Sequence, residues 1–574
     1  MITEPQGQRP QTADLEDPLY YLKNMDTVVS WVADHHGDLL TLDERARLAD
    51  FVDLPTSARG LLTRMVMRTG ELFRTDKLHY PELPGTVTEA LAELVARHWL
   101  EASPVLGIDD LFRLATLAEL RPAFADRLSE LDLPKTLPKA RLREVAAEHF
   151  PEPQRLQEWW SGDAPPVVRL QDMPLFDRVR LMFFGNLRQS WTDFVLVELG
   201  YQQYERVDLS SDSRAFHRRA DVDAYLLMHQ CRQGLDDGVP VSEVWPQVPE
   251  PSDNPWLASR RDRLLLELGR QAERQGEQAL ALEALAASHH REARLKQLRL
   301  LERLKRFDEA WDIARRWQHQ ELSDAEAQGL ARVLKRLAPK MGEVPPPVEA
   351  PPEIRAFTLS LPKPAVGSVE LAAQQHLEAA DAPVFYVENT LINGLFGLLC
   401  WRTIFEAIPG AFFHPFHVGP ADLLREDFVE RRRQAFDDCF ALLRDGRYRQ
   451  RILDTWQQKQ RLANPFVVWP ALSEALLITA MDCIPPRHLE RLFERLLNNL
   501  KEHRSGFPDL IRFYPDSRSD PDPDSPEPRY EMIEVKGPGD RLQDHQRRWL
   551  AFFGRENMPA SVCYVRWQAD EGGG

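Results

Sequence analysis

Two short stretches near the end of the chain carry residue types able to cleave a phosphodiester bond. One is "RSGFPDL", from Arg504 to Leu510; the other is "RYEMIEVKGPGDRLQDHQRRWLAFF", from Arg529 to Phe553. If "YEMIEVK" is a β-strand, side chains two apart share a face, so Glu534 and Lys536 point one way while Ile533 and Val535 point into a core. Asp509 opens the preceding strand, and pairing of the two strands brings it towards Glu534. Two carboxylates held together repel, and a divalent cation supplies the counter-charge. Mg²⁺ prefers oxygen ligands and is commonly held by one or two carboxylates plus substrate phosphate. A cation there polarises a scissile phosphate and acidifies a bound water, and Lys536 beside it orients that water and offsets developing negative charge. The turn Gly537-Pro538-Gly539 clears side chains from the site and leads to a helix whose Gln546 can reach back. From the residues alone, an E-x-K pair reads equally as an exposed ion pair on an edge strand, and Gln546 as a surface helix residue.

These residues need a frame. "DLIRFYP", "YEMIEVKG" and "SVCYVRW" are short, β-branched or aromatic, and bounded by turn residues, which predicts three strands. The acidic, proline-rich "DSRSDPDPDSPEPR" predicts an exposed loop between the first two. "DRLQDHQRRWLAFFGR" predicts an amphipathic helix with Asp540 as its N-cap. Upstream, "VENTLINGLFGLLCWRTIFEAI" predicts a buried apolar helix, with Glu388 at its start reading as a carboxylate favoured by the helix dipole.

The rest of the chain is mostly helical. Residues 1–17 read as a disordered tail. Residues 18–103 hold short helices, among them "YYLKNMDTVVSWVADHH", one begun by the capping box "TLDE" (Thr41 to Glu44), and one expected to end at Gly70; they are compatible with a winged-helix unit. Residues 104–152 read as a small SAP-like unit or, equally, a helical hairpin of a larger bundle. Residues 165–340 read as helix pairs resembling tetratricopeptide repeats, a scaffold able to take protein partners. Residues 341–366, including "EVPPPVEAPPEI", read as an extended linker, and 367–574 as the domain carrying the candidate site.

Composition sets limits. With 574 residues several domains are expected. A formal charge of −17 excludes a surface coated in basic residues, but not a local basic patch. "REARLKQLRLLERLKR", with Arg291, Arg294, Lys296, Arg299 and Arg303, and the segment holding Arg68, Arg74 and Lys77, are basic runs that read as a phosphate-binding surface or as solvated helix faces. The 5 cysteines are odd in number and lack metal-ligand spacing, which fits reduced thiols in a cytoplasmic compartment. The polar N-terminal stretch reads against a signal peptide, and the longest apolar runs are too short to cross a bilayer. No GxxxxGK[ST], HExxH or CxxC segment occurs, so neither ATP nor zinc is expected.

Taken together, "GFPDL" and "MIEVKGPGDRLQDHQRRWL" resemble the signature of the VRR-NUC branch of the PD-(D/E)XK nucleases. "ENTLINGLFGLLCWRTIF", "LTRMVMRTGELFRTDKLHYPE" and the order of the modules are similar to the Fanconi-associated nucleases. The resemblance implies a multidomain, mostly α protein. Helical, winged-helix-like and SAP-like DNA-binding units come first, tetratricopeptide-like repeats follow, and an α/β restriction-endonuclease-like domain ends the chain. It implies Asp509, Glu534, the Val535 carbonyl and Glu388 as ligands of Mg²⁺ or Mn²⁺, Lys536 as the catalytic lysine and Gln546 as a supporting residue. The activity implied is cutting of 5′-flap and branched double-stranded DNA with 5′-to-3′ exonucleolytic nicking, in interstrand cross-link repair. Two other readings stand beside it: a repeat scaffold with an inert nuclease-like end, and a nuclease of the same fold resolving four-way junctions.

Overall fold

The computed structural model describes residues 17–159, 165–189, 191, 203–320, 322–345, 347, 352–363, 367–515 and 529–568. Nearly all of the expected N-terminal tail (1–16), most of the acidic loop (516–528) and parts of the expected linker therefore lie outside the described residues. The chain divides into two compact units, Met1–Tyr201 with Phe216–Val222, and Gln202–Ala215 with Asp223–Gly574.

In the first unit, α1 (Tyr20–His36) buries the expected stripe of Leu22, Met25, Val28, Val29 and Val32. The capping box at the next helix, α2 (Leu42–Asp53), is formed: Glu44 N–H donates to Thr41 Oγ1 at 3.2 Å and Thr41 N–H to Glu44 Oε2 at 2.9 Å. The next helix, α3 (Thr56–Val66), stops at Val66 rather than at Gly70. The chain must turn early to enter strand β1 (Leu72–Arg74), and Gly70 lies in that turn. β1 and β2 (Leu100–Ala102) both pair antiparallel with β5 (Val167–Leu170), and β3 (Val105–Leu106) pairs with β4 (Gln154–Arg155); sequence alone places β5 among the helical repeats. Val167, Val168 and Leu170 are buried there, so this piece belongs with the N-terminal unit. Between them, helices Ile108–Leu114, Leu117–Glu130 and Lys139–His149 enclose their own core around Leu111, Phe124, Leu142 and Trp159. Arg74 is not a free phosphate contact: it is buried and pairs with Asp76 and with Glu119, each at 2.7 Å.

In the second unit, helices Pro255–Gln275, Gln278–Ala287, Arg291–Arg303, Phe307–Trp317 and Asp324–Leu337 follow in sequence. Part of the basic run of the third is engaged in ion pairs at its surface. Lys296 and Arg303 both pair with Glu273, at 2.9 and 2.5 Å, and Arg291 with Glu426 at 3.1 Å. Arg291, Arg294 and Lys296 are half-buried and Arg299 and Arg303 exposed, so the ion pairs favour the solvated helix face of the two initial readings of this run.

The remainder builds a five-stranded sheet in the order β6-β10-β9-β8-β7. Its strands are Arg355–Leu361, Val384–Tyr386, Leu510–Phe513, Tyr530–Lys536 and Ala560–Trp567, numbered β6 to β10 in that order. The last three are the strands expected from sequence. β6 corrects the linker assignment: its alternation Phe357-Thr358-Leu359-Ser360-Leu361 adds a parallel edge to β10, a signal masked by flanking prolines. β9 is central, antiparallel to β8 and parallel to β10. Its Ile533 and Val535 enter a layer completed by Ala373 of helix Val369–Leu377, while Tyr530 and Met532 enter the larger helical core with Phe396, Phe493 and Trp549.

One ionic contact ties the repeat helices to that core. Arg495 is buried, stacks 4.8 Å from the Trp549 ring centroid and 4.6 Å from that of Phe552, and pairs with Asp324 at 2.6 Å. Removing one partner of such a pair strands the other charge. Because Asp324 is partly solvated, Asp324→Ala is expected to cost about 2 kcal/mol of stability, measured by chemical denaturation.

Candidate active site

β9 places the acid and the lysine. Glu534 and Lys536 continue the face begun by Tyr530 and Met532, so the same alternation that anchors the strand in the core carries both groups to its end. Glu534 is 1 % exposed and Lys536 8 %. Lys536 Nζ lies 2.7 Å from Glu534 Oε1 as an ion pair, yet neither buried oxygen of Glu534 receives an aligned hydrogen bond.

Asp509 precedes β8. Its carbonyl accepts from Val387 N–H at 2.9 Å, and its Oδ2 accepts from Val535 N–H at 2.8 Å. In a strand a residue's N–H and carbonyl leave on the same side, so the Val535 carbonyl also faces the Asp509 side. Glu388 lies beyond the end of β7, exposed, within electrostatic reach of both other acids. Tyr386 O–H donates to its Oε2 at 2.5 Å and Asn389 Nδ2 to its Oε1 at 3.2 Å. The structure thus brings Asp509, Glu534, Lys536 and the Val535 backbone together, with Glu388 alongside.

Two expectations about the following turn change. Gly537-Pro538-Gly539-Asp540 is a tight turn closed by Asp540 N–H donating to the Gly537 carbonyl at 3.1 Å, with Gly539 at φ +90°. Proline followed by a left-handed glycine is the requirement of a type II turn. Asp540 accepts from Gly537 N–H at 3.0 Å and so closes the turn instead of capping the helix. The helix runs Asp544–Arg555 with Gln543 as N-cap, and Gln546 Oε1 accepts from Gln543 N–H at 2.9 Å. Gln546 Oε1 is thus engaged in a capping box.

The segment before Asp509 is fixed from behind. Trp549 Nε1–H donates to the Ser505 carbonyl at 3.0 Å, and its ring lies 4.0 Å from that of Phe507. Gly506 adopts φ +88°, and a Cβ there would collide with the His545 ring. Sequence alone assigns no role to Tyr386 or Asn389. A strand of only three residues, Val384–Tyr386, gives too little alternation to show which side chains reach Glu388.

The cluster is short of positive charge. Burial, then the neighbouring Asp509, pushes the Glu534 carboxyl up to about 7 from 4.5, against the pull of Lys536. Burial also raises Asp509, to about 6 from 3.8, with Glu388 adding to the shift and the Val535 N–H opposing it. Burial and Glu388 raise the Tyr386 phenol. Among the described residues, no three acidic, histidine or cysteine side chains close into a complete cage for a cation. Two buried oxygens without aligned donors, a second carboxylate and a carbonyl on the same side nonetheless make a donor set that fits a hard divalent ion also bound by water or phosphate.

A sheet ending in an Asp, Glu and Lys cluster of this kind, behind helical accessory units, defines a nuclease of the VRR-NUC class. The VRR-NUC domain model matches residues 443–567, the FAN1 HTH domain model 19–101 and the Fanconi anemia-associated nuclease SAP domain model 105–159. The chain is 47% identical over 559 residues to the Fanconi-associated nuclease 1 homolog of Pseudomonas aeruginosa, covering 97% of each. It is 32% identical over 189 residues to the homolog of Caenorhabditis briggsae, covering 32% of this chain and 20% of that one. A crystal structure of paFAN1 bound to 2nt 5′ flap DNA with gap superposes with a TM-score of 0.83 at 47% identity, covering 97% of this chain and 100% of that one. The chain belongs to the Fanconi-associated nuclease family. It is a DNA nuclease of the metal-dependent VRR-NUC class, and no described helix is long and apolar enough to cross a membrane.

The acid shifts fix the pH dependence of the metal-free protein. Folded Asp509 and Glu534 keep protons to higher pH than they do unfolded, so the folded chain binds more protons between about pH 4 and 7 and stability falls as pH rises through that range. Glu534→Gln is expected to stabilise the metal-free protein at pH 8, by an amount on the order of 1–3 kcal/mol, and to give no gain at pH 4. Thermal melts in chelator at the two pH values check this.

Proposed function

We propose that the protein hydrolyses phosphodiester bonds in 5′-flap and related branched DNA, as an endonuclease with 5′-to-3′ exonucleolytic action in cross-link repair. The observation that carries this reading is the buried Glu534–Lys536 pair beside Asp509, at the end of a sheet whose relatives include a protein crystallised on flap DNA. Asp509, Glu534 and the Val535 carbonyl, with Glu388 at the margin, would hold Mg²⁺ or Mn²⁺. A cation bound there supplies Lewis-acid charge to the scissile phosphate and to the attacking water.

The chain's own groups do the rest. Lys536 Nζ carries a fixed positive charge to the phosphate oxygens as negative charge builds on them, and its contact with Glu534 holds it in place. The Val535 N–H fixes the Asp509 carboxylate through one oxygen, leaving the other for ligation. The peptide turn after Lys536 presents little side-chain bulk, so a backbone phosphate can approach. Water adds to phosphorus and one P–O ester bond breaks. Gln546, engaged by Gln543 at the start of its helix, would support the site from there. The repeat helices remain candidates for protein partners. The inert-scaffold reading is disfavoured by an intact acid–lysine cluster, and the junction reading is separable by substrate.

End-labelled 5′-flap and four-way-junction DNA tests the proposal. With Mg²⁺ or Mn²⁺ the parent is expected to cut the flap faster than the junction. Asp509→Ala and Lys536→Ala are each expected to lose roughly 100-fold or more in rate while melting like the parent. Cutting by either variant at the parental rate sinks the assignment. Flap binding by the Asp509→Ala protein is expected to weaken at least ten-fold between about 50 and 200 mM salt, as released counterions require, read by fluorescence anisotropy.

A further inference from the structure

Glu388 differs from its two acidic neighbours in being exposed, so burial does not hold it. An exposed glutamate is free to sample many rotamers unless its oxygens are tied. Here both are, Oε2 by Tyr386 O–H at 2.5 Å and Oε1 by Asn389 Nδ2 at 3.2 Å. Asn389 does more than donate. Its Oδ1 accepts from Phe507 N–H at 3.2 Å, so one amide bridges the Glu388 carboxylate and the backbone two residues before Asp509. Its main chain is fixed as well: its carbonyl accepts from Asn393 Nδ2 at 2.7 Å, and the same Nδ2 reaches the Arg504 carbonyl at 2.9 Å. Asn389 sits at φ +53°, a left-handed conformation that asparagine tolerates better than most residues. Asparagine therefore meets three demands at once: the left-handed backbone, a donor towards Glu388 and an acceptor towards Phe507.

We propose that Asn389 is a positioning residue that, together with Tyr386, sets the Glu388 carboxylate against the segment carrying Asp509, so that the two acids meet one cation. The proposal rests on the reading of Glu388 and Asp509 as metal ligands. Partners that orient a ligand commonly change metal affinity ten-fold or more when removed.

The test is Mn²⁺ binding to the full-length protein without DNA, by calorimetry or by loss of the free-ion paramagnetic signal, with thermal melts in chelator as the control for folding. Asn389→Gly keeps the left-handed backbone and deletes the amide; it is expected to weaken Mn²⁺ about ten-fold without lowering the melting temperature markedly. Because the amide acts through Glu388, adding Asn389→Gly to Glu388→Ala is expected to change Mn²⁺ affinity little further, whereas a general loosening of the domain would add its full effect in both backgrounds. If Asn389→Gly melts early, Tyr386→Phe takes its place, since that ring is half exposed and its hydroxyl meets the same carboxylate; a several-fold loss is expected. Parental affinity in the folded variant, or an undiminished loss in the Glu388→Ala background, overturns the proposal and leaves the metal reading standing. Parental affinity in Glu388→Ala itself overturns the assignment of Glu388 as a ligand, and this proposal with it.

Discussion

The structure turns on a buried carboxylate that lacks aligned donors. Glu534 is almost fully enclosed, pairs with Lys536, and among the described residues neither of its oxygens receives a well-directed hydrogen bond. An isolated charge in that position is unfavourable by several kcal/mol. The fold sustains it by making β9 the central strand of its sheet, paired on both sides, so that the strand cannot shift to hydrate the acid. Tyr530 and Met532 lock the same face into the helical core, and Ile533 and Val535 lock the other. The position of the charge is thus over-determined by apolar packing, and what the site lacks is positive charge rather than order. That deficit is what a divalent cation and a phosphate together would fill.

The acidic total of the chain gains meaning in the same terms. A charge of −17 repels DNA at long range, and several conspicuous basic residues are already committed within the protein. Arg74 serves Asp76 and Glu119; Lys296 and Arg303 serve Glu273. A cluster of carboxylates adds local repulsion where a phosphate has to come. A cation held there would offset that field, so metal occupancy and substrate approach would be coupled by electrostatics.

The sequence conveyed the site better than its surroundings. That Glu534 and Lys536 share a face was legible from the two-residue period of a seven-residue strand; that they and Asp509 serve chemistry was implied only by the resemblance, because an E-x-K pair alone reads equally as an exposed ion pair. The last three strands, β8 to β10, were legible because each is short, β-branched or aromatic and bounded by turn residues. β6 and β7 were not: one is flanked by prolines and the other spans three residues, so pairing with distant segments decides them, not local pattern. Val167–Leu170 was misassigned because its partners, β1 and β2, lie some seventy to a hundred residues earlier in the chain. Asp540 was read as a helix cap because acidic residues suit that position. The proline–glycine turn outcompeted that role by claiming its carboxylate, and the Gln543–Gln546 pair took over the capping.

The helix Asp324–Leu337 bears on a site it does not line. Asp324 begins the helix Asp324–Leu337 and pairs with Arg495; Arg495 lies against Trp549; Trp549 holds the Ser505 carbonyl and covers Phe507; Asp509 follows two residues on. Each link is a packed or hydrogen-bonded contact with one evident geometry, so displacement at one end has few soft places in which to dissipate. His503 strengthens the middle of this chain, its Nδ1 sharing a hydrogen with the Arg495 carbonyl at 2.5 Å while burial keeps its ring neutral, with the pKa pulled down to about 4. A neutral imidazole adds no second positive charge beside Arg495, and the Asp324 carboxylate is left to the arginine. The helix Asp324–Leu337 therefore helps fix the loop that brings Asp509 to Glu534.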